Sequence, residues 1–213
     1  MFLLKKVTYK DILNISELRL KQGEITSIIG ESGSGKTTLL RLLNKLISCD
    51  SGSICYKDRN LRDIDAIELR RKVVMLPQTP VIFPESIKDN LLIGLKFAEK
   101  ETVSDDRLKD ILNMVHLNKE LSSQSDTLSG GEKQRLSLAR VILLDPDVFL
   151  LDEPSSALDE ETEDSIIKQL AQYTKTSNKT LIMVIHSKKT AQTYSDNIIE
   201  INQGNIRTVQ EVK

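Results

Sequence analysis

Gly30-Glu31-Ser32-Gly33-Ser34-Gly35-Lys36-Thr37 fits the pattern G-x-x-x-x-G-K-[ST] in full. At average residue frequencies a chance match in a chain of this length is on the order of 1%. Its flanks have the required character. Glu24 to Ile29 reads as an apolar strand ending on Gly30. Leu39 to Ile47 carries apolar residues at 39, 40, 42, 43, 46 and 47, a helical pattern. A loop of this kind lets successive backbone N–H groups converge on phosphate oxygens, and the helix opening near Gly35 adds its positive end. Lys36 is then the partner of β- and γ-phosphates, the Thr37 hydroxyl a ligand of Mg²⁺, and Thr38 a contact of the α-phosphate. Gly30, Ser32, Gly33, Ser34 and Gly35 complete the phosphate-binding set.

Upstream, Phe2 to Tyr9 and Ile12 to Leu20 read as strands, with a turn at Gln22-Gly23. Downstream, Ile54 to Tyr56 reads as strand, Ile64 to Arg71 as a polar helix and Val73 to Leu76 as strand. Three prolines then punctuate Pro77 to Pro84 and helical signals follow. The clearest is Leu108, Ile111, Leu112 and Val115, an i, i+3, i+4, i+7 stripe with Ser104 as N-cap. From residue 130 helix and strand alternate: helix 130–143, strand 148–151, helix 160–173, strand 180–185, helix 187–194 and strand 197–201. A turn at Gln203-Gly204 leads into Ile206 to Val209. Such alternation implies a mainly parallel sheet covered on both faces.

The second half of the phosphate site is Asp147-Val148-Phe149-Leu150-Leu151-Asp152-Glu153-Pro154. A buried apolar strand delivers two carboxylates at its C-terminal end, where ligands sit in open α/β sheets. Asp152 suits Mg²⁺, and Glu153 suits the orientation or deprotonation of an attacking water. By itself a strand ending in Asp-Glu is equally a solvated strand end. Leu128-Ser129-Gly130-Gly131-Glu132 offers a further anion site. Ser129 and Glu132 have capping-box spacing, and two glycines expose N–H groups at a helix start. Taken alone, an ordinary helix cap accounts for it.

With the phosphate loop, Leu-Ser-Gly-Gly-Glu and Leu-Leu-Asp-Glu-Pro in this order, the chain resembles the ATP-binding cassette (ABC) ATPases over essentially its whole length. The resemblance implies an α/β P-loop fold of the ABC type. That fold has a mainly parallel sheet core, an N-terminal antiparallel β subdomain and a small helical subdomain. Residues 1–213 form one ABC ATPase domain, with the helical subdomain at about 79–127. Gln78 resembles the Q-loop glutamine, which contacts Mg²⁺ and senses the γ-phosphate. Ser156-Ala157-Leu158-Asp159 resembles the D-loop, and His186 the switch histidine that touches the γ-phosphate. Tyr9 matches the aromatic that stacks on adenine, with a packed strand residue as the alternative. Ser187 departs from the Asp that commonly follows the switch histidine.

The implied activity is ATP hydrolysis with Mg²⁺, with Glu153, His186 and Gln78 as the catalytic group and Thr37, Gln78 and Asp152 at the metal. The implied partners are a second copy of the chain in an ATP-sandwich dimer and a separate integral membrane subunit. In that dimer Ser129, Gly130 and Gly131 of one copy, with Asp159, face nucleotide held by the other. The protein is then cytoplasmic, peripheral on the inner face of the membrane through that subunit. Phe83 followed by Ser86-Ile87-x-x-Asn90-Leu91 resembles exporter-type cassettes, and most resembles small stand-alone bacterial cassettes of metal export.

Composition narrows the field. The 213 residues are 39% hydrophobic and 29% charged, an ordinary globular balance. Thirty basic and 31 acidic side chains give a net charge of −1, which argues against a nucleic-acid partner held by bulk electrostatics. Cys49 and Cys55 make no disulfide framework, as expected of a reducing compartment. The longest aliphatic runs fall far short of the roughly 20 residues that span a bilayer. An ABC ATPase with a non-transport role, and a nucleotide switch without turnover, are the rival readings. The presence of Glu153 argues against the second.

Overall fold

Short, mostly apolar runs without polar alternation suit strands buried on both faces, and three five-residue strands of this kind make the centre of this molecule. The computed structural model describes residues 1–79, 81–155 and 159–212. In it β3 (Ile25–Ile29), β7 (Val148–Asp152) and β8 (Thr180–Val184) lie in one six-stranded sheet. The strand order is β10-β9-β3-β8-β7-β6, with β6 at Val73–Leu76, β9 at Asn197–Asn202 and β10 at Asn205–Glu211. All neighbours pair in parallel except β10, which runs antiparallel to β9. The period of two divides each strand between two cores. Phe149, Leu151, Leu181 and Met183 face one, and Val148, Leu150, Ile182 and Val184 the other.

The second core is closed by a four-stranded antiparallel sheet in the order β2-β1-β4-β5. Its strands are β1 (Phe2–Tyr9), β2 (Leu13–Leu20), β4 (Ser51–Tyr56) and the short β5 (Arg59–Asn60). Helix α1 (Lys36–Leu43) packs Leu39, Leu40, Leu42 and Leu43 into this same core. The sequence pattern carries the helix on to Ile47. The chain instead leaves it at Asn44, and Lys45 takes φ 57. Leu46 is 51% exposed, so its apolar character has no helical packing to report. Helix α2 (Ala66–Lys72) starts two residues later than its pattern because Asp65 caps it, accepting from the N–H groups of Ile67 and Glu68.

The first core is covered by α5 (Gly130–Leu143) and α6 (Glu160–Thr176), with α7 (Lys188–Tyr194) beside α6. Against α5 lie α3 (Ile87–Phe97) and α4 (Asp105–Met114). Ser104 caps α4, and Leu108, Ile111 and Leu112 are its buried stripe. Ile87, Leu91 and Leu95 do the same for α3. None of the described helices is long and apolar enough to cross a membrane.

Candidate nucleotide site

Loop 30–35 joins β3 to α1 and is wedged beneath the β9–β10 hairpin. A Cβ on Gly30 would collide with the carbonyl oxygen of Ile201 on β9, so no larger residue fits there. Gly33 has open space around it but holds φ 76, a conformation that side chains disfavour. Lys36 is only 6% exposed. Its Nζ donates to the carbonyls of Gly30 at 2.8 Å and Glu31 at 2.7 Å, which curls the loop around the ammonium. Gly35 caps α1 without any side-chain hydrogen bond, leaving first-turn N–H groups for an anion. Ser32 is exposed and Thr38 half-buried. The Ser34 hydroxyl is buried with no hydrogen-bond partner among the described residues.

Strand β7 ends beside this loop. Thr37 Oγ1 donates to Asp152 Oδ1 at 3.1 Å, which unites two of the three residues read as metal ligands. Burial raises the Asp152 carboxyl above the ordinary carboxylate range. The Thr37 hydrogen bond opposes that shift, and the neighbouring Glu153 charge adds to it. A hydroxyl and a carboxylate are the oxygen donors that Mg²⁺ takes, so these residues fit that ion.

Glu153 follows with φ 50, a left-handed conformation that costs a non-glycine residue of order 1–3 kcal/mol. Three hydrogen bonds and a close contact with an imidazole hold it there. Its N–H donates to Val184 O at 3.1 Å. Its carbonyl accepts from Gln134 Nε2 at 2.7 Å. Its carboxylate meets Gln78 Nε2 at 2.7 Å on Oε2 and His186 Nε2 at 2.8 Å on Oε1. The three residues assigned to chemistry from sequence thus converge on one carboxylate. Gln78, also assigned to the metal, spends its amide nitrogen here. Around them lies a cleft of about 510 Å³ lined by Glu153, Ser155, Glu160, Glu163 and His186. Ser187 caps α7, accepting from Thr190 N at 3.1 Å, so the residue after His186 anchors the loop through a helix start.

Gln134 is the residue that motif reading misses. It is 3% exposed, on the α5 stripe that runs through Leu138 and Val141. A glutamine amid buried apolar positions was the available signal, since a buried amide needs partners.

The Ser129 hydroxyl accepts from Glu132 N at 3.3 Å, and Glu132 Oε2 accepts from Ser129 N at 2.8 Å, a complete capping box. The Ser129 N–H, with Lys119 nearby, holds the Glu132 carboxyl below its usual range. Gly130 is exposed and Gly131 half-buried, with no atom near a Cβ built on Gly130. Among the described residues no hydrogen bond or ion pair joins 128–132 to 30–38. Asp159 caps α6, accepting from Thr162 N at 2.9 Å. The rest of the D-loop segment, 156–158, lies outside the described residues, as does Pro80. Tyr9 ends β1 half-buried, with Lys10 Nζ 5.3 Å from its ring centroid.

Val81 and Phe83 are clamped rather than loose. Fully buried Asn90 accepts from Phe83 N and donates to Phe83 O, both at 3.0 Å. Arg140 donates to Asn90 O at 2.8 Å and Val81 O at 3.1 Å, and stacks its guanidinium over the Phe83 ring at 5.3 Å. Outside it, Glu85, Asp89, Leu92, Ile93, Lys96 and Lys100 line a cleft of about 650 Å³.

The profile of the family described as "ABC transporter" matches residues 13–156. The chain is 35% identical over 209 residues to the methionine import ATP-binding protein MetN of Clostridium tetani, covering 96% of this chain and 65% of that protein. It is 38% identical over 204 residues to the lactococcin-A transport/processing ATP-binding protein LcnC of Lactococcus lactis subsp. lactis, covering 92% and 28%. The chain therefore spans less than two thirds of either relative. The ATP-binding cassette MJ0796, solved as a post-hydrolysis dimer with ADP and Pi, superposes with a TM-score of 0.89 at 28% identity. That superposition covers 100% of this chain and 99% of the other.

Proposed function

Because the chain belongs to the ABC transporter family, we propose that it is the ATP-binding and ATP-hydrolysing subunit of a transporter and powers a separate integral membrane subunit. The observation that carries this reading is the meeting of Gln78 and His186 on Glu153, beside the Thr37–Asp152 pair. Loop N–H groups and Lys36 hold the phosphates. Thr37 and Asp152 would hold Mg²⁺, which would supply positive charge against the β- and γ-phosphates. Gln78 and His186 fix the two oxygens of Glu153, which orients a water and takes its proton at the carboxylate. His186 is 62% exposed at its side chain, so a γ-phosphate can reach it where it meets Glu153.

The signature 128–132 has no partner in its own phosphate loop, which supports a second copy of the chain supplying Ser129, Gly130 and Gly131 across a two-fold axis. Asp159 belongs to the same interface, and Tyr9 takes the adenine. Segment 79–127 is the helical subdomain within a single domain, 1–213. The cleft on α3, acidic toward Glu85 and Asp89 and basic toward Lys96 and Lys100, supports docking of the membrane subunit. The protein is then peripheral on the cytoplasmic face of the membrane. For direction we keep export, the reading that Phe83 and Ser86-Ile87-x-x-Asn90-Leu91 imply.

Glu153→Gln removes the base and little volume. ATP binding should persist while turnover falls roughly 10²–10⁴-fold, whereas Lys36→Ala should weaken nucleotide binding itself. Steady-state hydrolysis and nucleotide titration of both variants decide it. Near-normal turnover by Glu153→Gln sinks the mechanism.

A further inference from the structure

Glu153 is the one acidic residue of the site held in a left-handed backbone conformation, with φ 50. Its side chain is tethered by Gln78 and His186, both on loops at strand ends, and its peptide by two other groups. One is Val184 O, part of β8 and fixed by the sheet. The other is the Nε2 of Gln134, 2.7 Å from the Glu153 carbonyl. Gln134 comes from a different element, and that element is α5, whose first residues are the signature glycines. Gly130 and Gln134 are one helical turn apart, about 6 Å along the axis. A rigid turn therefore connects the anion-facing start of α5 to the backbone of the hydrolytic carboxylate.

We propose that Gln134 is a positioning residue for hydrolysis: it holds the Glu153 peptide in the conformation that aims the carboxylate into the cleft. Because it rides on α5, it makes that aim depend on where Ser129 and Gly131 sit. The inference rests on the ATPase reading above, and it adds a direction to it. Engagement of this chain's signature by nucleotide in a second copy is sensed, through Gln134, at this chain's own Glu153. Gln134 serves this role through its hydrogen bond to the Glu153 carbonyl, a group of the backbone and not of the reacting carboxylate. Its loss should therefore act on turnover alone.

The test uses Gln134→Leu, which removes the donor at similar volume, and Gln134→Glu, which keeps the shape and presents acceptors to the carbonyl. Each should lower kcat about 10²-fold, the scale of a misplaced catalytic group, with KM and nucleotide affinity within about twofold of the wild type. The same changes are then made in the Glu153→Gln background and read by single-turnover hydrolysis. There they should cost less than about twofold, because a residue acting through Glu153 has nothing left to position. An unchanged kcat in either folded single variant overturns the proposal. So does an equal loss in both backgrounds, which marks Gln134 as structural. If Gln134→Leu fails to bind nucleotide, Gln134→Glu decides by the same comparison. Full activity of Glu153→Gln itself would instead sink the ATPase mechanism, and the role of Gln134 with it.

Discussion

Asp152 is a carboxylate that folding makes harder to ionise. Burial lifts its pKa in the folded chain above the unfolded value, so between the two values the folded state binds more protons. Stability of the nucleotide-free protein must then fall as pH rises through that window. Asp152→Asn removes the buried charge. In urea melts it should exceed the wild type at pH 7.5, by a margin that shrinks toward pH 4. A margin independent of pH would assign the effect elsewhere. The same shift means that divalent-cation affinity should begin to drop on acidification before an ordinary carboxylate would protonate. The loop glycines separate in the same way by cause. Gly30→Ala, which drives a methyl into the Ile201 carbonyl, should cost about 1–3 kcal/mol by overpacking, with the strain of φ 146 in addition. Gly33→Ala meets no atom and should cost about 1–2 kcal/mol for its positive φ alone. Residues of this kind were legible in sequence because loop and strand end are local patterns. Gln134 was not, because its partner is a carbonyl on another element, and no spacing encodes that.

At the scale of elements, the clamp formed by Asn90 and Arg140 fixes how the segment after Gln78 meets α5. Arg140 has its pKa lowered by burial and still gives hydrogen bonds to Asn90 and Val81. Asn90→Leu would strand the N–H of Phe83, whose carbonyl keeps Glu85 N and Ser125 Oγ as donors, and should cost about 1–3 kcal/mol in denaturant unfolding. Hydrogen exchange at the Phe83 amide should accelerate in that variant while amides of β7 stay protected. Unaltered exchange at Phe83 would mean the loop holds by other contacts. Helix α4 was readable from Ser104 and its stripe. Helix α3 has a sparser stripe, i, i+4, i+8 in Ile87, Leu91 and Leu95, and the prolines at 77, 80 and 84 give its approach the character of irregular chain. Helix α1 was read too long because Leu46 and Ile47 continue the apolar pattern past a turn at Lys45 that only tertiary packing explains. The two-residue β5 carries too little pattern to register.

Across the whole molecule, one chain holds a phosphate loop and a signature that share no hydrogen bond or ion pair among the described residues. Glu153→Gln at tens of micromolar should sediment as a dimer with ATP and as a smaller species without it. A monomer in both conditions would count heavily against a shared site. Half-buried Ile93 lines the α3 cleft, away from Glu153. Ile93→Glu should leave hydrolysis by the isolated subunit within about twofold and abolish co-purification with the membrane subunit. Retained co-purification would move the docking site elsewhere. The hairpin that wedges the phosphate loop has a further consequence. Gly30 lies against Ile201, Gly204 N donates to Ser34 O at 3.1 Å, and Gly204 O accepts from Asn14 at 2.8 Å. Strand β3 itself sits between β8 and β9, both made late. A ribosome adding about 5–20 residues per second thus exposes the loop roughly 10–30 s before the strands that shape it exist. Throughout that interval ATP in the cytosol has nothing to grip. Nascent chains arrested before β9 should gain no protease resistance from ATP, while chains released past Glu211 should.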